Sequence, residues 1–124
     1  MTPGARVQAA IDCLGPILAG RPAEQLLTNW ARQNRYAGSG DRAAVRDHVY
    51  AALRRLRSSG WIGGGDEARA VMIGSLAQDG ADLAALFSGQ GHAPAPLDSG
   101  EGQGDLTAAP PAVQADLPDW LWEM

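Results

Sequence analysis

The chain contains no lysine; all ten of its basic residues are arginine. That absence excludes a P-loop, whose lysine reaches the terminal phosphates, and every Schiff-base mechanism. A single cysteine, Cys13, excludes an intramolecular disulfide framework and a multi-cysteine zinc site. No apolar run approaches the ~20 residues needed to span a bilayer, and the first residues lack the unbroken apolar stretch of a signal peptide. A cytoplasmic protein with no membrane partner is the default expectation. Large aliphatic and aromatic side chains are also scarce. Of the residues counted as hydrophobic, 23 are alanine, and Leu, Ile, Val and Phe together number only 23 of 124. That share falls just below the level at which disorder becomes a concern. The net charge of −4 is too small for a disordered polyelectrolyte. A small folded body with a weakly folding tail satisfies both observations.

What charge there is divides sharply. Residues 1–65 hold nine arginines against four acids, a balance of +5, whereas residues 66–124 hold Arg69 against ten acids, a balance of −9. A basic front and an acidic rear therefore share one chain.

The front reads as helices. Thr2 suits an N-cap and Pro3 the first helical position, where a missing N–H costs nothing. Val7, Ala10, Ile11, Leu14, Ile17 and Leu18 recur at helical spacing, Pro16 should kink that helix, and Gly20 suits its stop. A second helix starts at Pro22 with Leu26, Leu27 and Trp30 on one face. Asp41 is expected to cap a third, running to about Arg57 and burying Val45, Val49, Ala52, Leu53 and Leu56. A loop over residues 60–65 carries Trp61 and Ile62. Asp66 caps a fourth helix with Val71, Met72 and Leu76, and a short fifth covers residues 81–87. The fold class is thus all-α, a bundle of about five helices over residues 1–87.

Residues 88–116 carry only Leu97, Leu106 and Val113 as larger apolar groups, with four prolines and five glycines. Such a stretch is expected to be an extended or disordered linker, because it offers too little apolar surface to offset its chain entropy. Residues 117–124 form a short closing element with Trp120 and Trp122, expected to dock on something.

Catalytic chemistry finds no foothold. Cys13 lies beside an apolar stripe and reads as a small buried hydrophobe. His48 reads as a structural or surface histidine, and His92 sits in the linker. Two distant histidines and one cysteine do not make a metal site by spacing. The glycine clusters follow no predicted strand, so a dinucleotide loop fails its context. No catalytic, cofactor-binding or metal-ligating residue is assigned.

The third helix offers a different chemistry. At ~100° per residue, Arg42, Arg46, Tyr50, Arg54 and Arg57 fall in one sector roughly 120° wide, beside the apolar stripe. Guanidinium groups suit phosphates and a tyrosine ring suits base stacking. Arg32 and Arg35, between Trp30 and Tyr36, repeat that combination at the end of the second helix. These seven are the candidate RNA-binding residues. The alternative is that the arginines decorate a solvated face or cover the core with their aliphatic stems.

Three stretches carry a resemblance. Residues 5–11 (ARVQAAI), the stop and restart over residues 17–23 (ILAGRPA), and above all residues 41–54 (DRAAVRDHVYAALR) resemble the N-terminal domain of the Sun (Fmu) family of bacterial RNA cytosine-5 methyltransferases. The closing residues 117–122 (LPDWLW) are similar to the segment preceding that family's methyltransferase domain. The resemblance implies the helical fold of the NusB antitermination factor, with RNA, ribosomal RNA in particular, as partner. It also implies a methyltransferase domain beyond Met124, which would bind S-adenosylmethionine and carry the family's catalytic cysteines. None of those catalytic residues transfers to a position here, and this chain holds no cofactor site. The resemblance thus implies an RNA-positioning accessory domain. A NusB-like protein–protein or antitermination-type module with no linked enzyme is the alternative, and its binding elements would be Leu121, Trp122 and the helix grooves.

Overall fold

A computed structural model describes residues 1–117; the expectation that Trp120 and Trp122 dock on a surface lies outside them. All regular structure among the described residues is helical, as the sequence pattern implies.

Helix α1 (Pro3–Leu18) starts where expected, with the Thr2 hydroxyl accepting from the Ala5 N–H at 3.1 Å. Pro16 falls in its last turn, where the missing N–H comes close to the helix end. Gly20 closes the helix at φ +108°, its N–H on the Ile17 carbonyl and that of Arg21 on the Pro16 carbonyl. This paired bonding needs a left-handed residue after the cap, which glycine adopts without strain. Helix α2 (Ala23–Gln33) follows, and α3 (Ser39–Arg54) begins two residues before the expected cap. Asp41 sits inside the first turn, and its carboxylate reaches back to the Gly38 N–H at 3.0 Å. Its other oxygen accepts from Arg6 at 2.9 Å, tying α3 to α1.

The third helix does not run to Arg57. It breaks at Arg55 (φ −127°, ψ 44°), and α4 (Leu56–Gly63) starts immediately. The expected glycine loop over residues 60–65 is therefore largely helix. Gly64 makes the left-handed turn that ends α4 (φ +96°), whereas Gly60 and Gly63 permit close contact. A Cβ on Gly63 would lie 1.7 Å from the Ala70 carbonyl oxygen, and one on Gly74 would lie 1.8 Å from that of Ser59. These distances place α4 backbone to backbone against α5 (Ala68–Gln78). The α5 cap is Glu67 rather than Asp66.

Residues 70–76 of α5 are buried without exception, so α5 is the central helix and not one with a single apolar face. Val7, Ala10 and Leu14 of α1, Val45 and Val49 of α3, and Phe87 surround it in one core. Leu53 only packs on the margin, and Leu56, displaced by the break, is 37% exposed. The short α6 (Leu83–Leu86) leads into residues 88–117, an irregular path with a 3₁₀ turn (Leu106–Ala108) and the single turn α7 (Pro111–Gln114).

That path lies on the helices and buries Pro94, Ala109, Ala112 and Val113. Polar clamps hold it. Arg69 donates to both oxygens of Glu101 and to the Ala95 and Pro96 carbonyls, while its guanidinium lies 5.2 Å from the Phe87 ring centre. Asp116, at φ +56°, accepts from the Ser58 N–H at 2.8 Å and the Ser58 hydroxyl at 2.7 Å. It thereby satisfies an orphan donor in the first turn of α4 from 58 residues away. The Trp61 indole N–H donates to the Asp105 carbonyl. The segment has few large apolar groups, which is why its sequence alone points to a linker. Alanines, prolines and side-chain-to-backbone bonds supply the attachment.

Candidate nucleic-acid interface

Arg32 on α2 and Arg42 and Arg46 on α3 line one groove of about 430 Å³ together with Leu27, Trp30 and Ala43. The amphipathic α2 turns Leu27 into the core and leaves Arg32 exposed. Val45 and Val49 fix the rotation of α3 by facing the core, which leaves Arg42 and Arg46 at the surface. Arg42 donates to the Ala37 carbonyl at 2.8 Å, securing the turn between the two helices. Arg32, Arg35 and Arg54 are exposed and make no ion pair among the described residues.

Arg46 is engaged differently. Glu24, in the first turn of α2, accepts from both the Arg46 guanidinium and the Tyr50 hydroxyl. The Arg46 guanidinium also lies 5.5 Å from the Tyr50 ring centre. Those two donors hold the Glu24 carboxyl below the ordinary carboxylate range, Arg46 first. Glu24 was not legible as a partner, because 22 residues and a helix boundary separate it from Arg46. All three groups are at the surface, so the cluster is open to competition from another anion.

Six of the seven candidate residues, Arg32, Arg35, Arg42, Arg46, Tyr50 and Arg54, thus lie on α2, on α3 or in the turn joining them. Arg54 is exposed at the far end of α3. Arg57 departs from the projected stripe. The break at Arg55 ends the 100° count, so Arg57 belongs to α4, where it donates to the Leu117 carbonyl. It lines a separate groove of about 950 Å³ with Leu56, Trp61, Pro110 and Val113. Arg55, outside the stripe in the sequence projection, reaches α5, donating to the Ser75 carbonyl and hydroxyl and pairing with Asp79 at 3.1 Å.

The other titratable groups have structural settings. Burial, then the nearby Asp12 charge, pushes the Cys13 thiol up to about 11, which leaves it protonated and unreactive near neutrality. Burial lowers the pKa of His48. No three His, Cys, Asp or Glu side chains among the described residues converge on a possible metal position. Nor is any described helix long and apolar enough to cross a membrane. Comparison with protein-family models, with curated proteins and with solved structures finds no match.

Proposed function

We propose that the chain is a NusB-like, RNA-binding accessory domain of a Sun-type RNA cytosine-5 methyltransferase, placing structured RNA, ribosomal RNA in particular, for a linked S-adenosylmethionine-dependent domain. The observation that carries the reading is the groove in which Arg32, Arg42 and Arg46 meet, flanked by the exposed Arg35 and Arg54. Guanidinium groups on one face favour phosphate oxygens, and anion binding follows such a local cluster although the whole chain is negative. The family assignment rests on the sequence resemblance over residues 5–11, 17–23 and 41–54.

The test is salt-dependent binding of a structured RNA by the full chain. Three to four phosphate contacts on single-stranded regions imply a log–log slope of about −2 to −3. Reversing Arg32 and Arg54 to Glu should weaken binding and flatten the slope, with the helical circular dichroism unchanged. Both residues are exposed, so neither reversal touches the core. Equal binding by the double reversal and the wild type at low salt refutes the reading. A protein-interaction module is the second reading, and the wide groove beside the 41%-exposed Trp61 favours it.

A further inference from the structure

A further cavity, of about 420 Å³, opens where α1 meets the end of α2. Its size is within the ordinary range for small-molecule pockets. Gln8 and Asp12, one helical turn apart on α1, line it together with Trp30, Asn34 and Tyr36 from the end of α2 and the turn after it, and with His92. The α2 side is tied together by its own hydrogen bonds. The Asn34 amide donates to the Trp30 carbonyl at 2.8 Å, and the Tyr36 hydroxyl donates to the Asn34 side-chain oxygen at 3.2 Å. Tyr36 is nonetheless 74% exposed. An aromatic ring that is both exposed and tethered loses little freedom when a second ring stacks on it.

The α1 lining is rich in acceptors. Gln8 donates its amide to one Asp12 oxygen at 2.8 Å. That bond leaves the Gln8 carbonyl and the second Asp12 oxygen without a donor among the described residues. An ionised carboxylate only accepts hydrogen bonds and can take two parallel donors. Among the four RNA bases, guanine alone presents two adjacent donors, N1–H and the 2-amino group. Adenine and cytosine offer one amino group next to an acceptor, and uracil offers one N–H between two acceptors.

We propose that this cavity receives an unstacked guanine from a single-stranded stretch of bound RNA. Asp12 reads its N1–H and 2-amino edge, and the Tyr36 and Trp30 rings provide the stacking walls. Sequence-specific RNA recognition commonly works on such splayed bases. Arg32 and Arg35 lie between Trp30 and Tyr36 along the chain, so the phosphates next to the base have cations at hand. The inference rests on the RNA-binding reading above, and adds to it a preference for one base.

The experiment measures binding by the full chain of an RNA hairpin with one loop guanine, and of the same hairpin with inosine or adenine at that position. Inosine lacks only the 2-amino donor. Losing half of a bidentate contact should weaken binding about tenfold. Asp12→Asn should abolish the guanine-to-inosine ratio. That ratio is the readout, because removing a carboxylate strengthens phosphate binding to every RNA. Tyr36→Ala, a change at an exposed side chain, should weaken binding to all three hairpins without altering the salt slope, since stacking releases no counterions. Equal binding of the three hairpins with a steep salt dependence overturns the guanine pocket and leaves the basic groove standing. Failure to bind any hairpin at low salt overturns both.

Discussion

Replacing Gly74 by alanine tests the backbone contact on which the fold turns. The added methyl would sit 1.8 Å from the Ser59 carbonyl oxygen and 2.5 Å from its carbon. An ordinary carbon–oxygen approach is about 3.4 Å, so α4 and α5 would have to part by roughly 1.5 Å. No rotamer change relieves the clash, because the obstacle is backbone. A gap of even 0.5–1 Å forfeits about a quarter to a half of each dispersion contact across the seam. It would also stretch the bonds from Gln78 to the Ser58 and Ser59 hydroxyls, now 3.0 and 3.1 Å. Overpacking of this kind costs about 3 kcal/mol or more, against which alanine regains about 1 kcal/mol of helix propensity over glycine. The net loss of about 2 kcal/mol or more should lower the thermal midpoint by roughly 6–10 °C. Gly40→Ala is the matched control. It lies in the first turn of α3, and its new methyl would meet only the Arg6 guanidinium at 3.8 Å. It should raise the midpoint slightly. The assay is thermal unfolding followed by circular dichroism. If Gly74→Ala melts with or above Gly40→Ala, the close seam between α4 and α5 is not what sets the stability of this body.

Two further outcomes follow from the clamps on residues 88–117. Asp116→Ala should destabilise by about 2–3 kcal/mol, because it orphans the buried Ser58 donor and forces alanine into a left-handed conformation. Asp116→Asn, which tolerates that conformation and keeps one acceptor, should lose less, and chemical denaturation of the pair reads the difference. Glu101 is held down to about 2, first by Arg69 and then by the Asp98 N–H. Its folded-state pKa is depressed, so its stabilisation is present above the ordinary carboxylate range and disappears as pH falls toward 2. Wild type and Glu101→Gln should therefore differ in stability at pH 6 and converge near pH 2; a constant difference across that range would remove Glu101 ionisation from the account.

Several helix boundaries were legible because their causes are local. Thr2 and Pro3 open α1, Gly20 closes it, and the spacing of Val45 and Val49 fixes which side of α3 faces inward. Capping, left-handed turns and apolar periodicity act within one or two turns of chain, so the residues themselves carry the signal. The all-α class and the exposure of Arg32, Arg42, Arg46 and Arg54 follow from the same local rules. The break at Arg55 had no such cause. No glycine or proline marks it, and the donor it frees is satisfied by Asp116, far along the chain. Continuing the helix past that point carried Leu56 into the core and Arg57 into the arginine stripe, and neither is there. The glycines of α4 looked like a loop because glycine serves both turns and close helix contacts, and sequence spacing does not separate the two uses. Glu24 beside Arg46 and Glu101 beside Arg69 escaped for the same reason, since an ion pair between distant segments has no local signature. Composition and periodicity by themselves determined α1, α2, α5 and the inward-facing Val45 and Val49 of α3, together with the basic front of this protein. Tertiary packing decided where the third helix ends, which arginines share a groove, and that a proline- and alanine-rich stretch lies on the helices instead of leaving them.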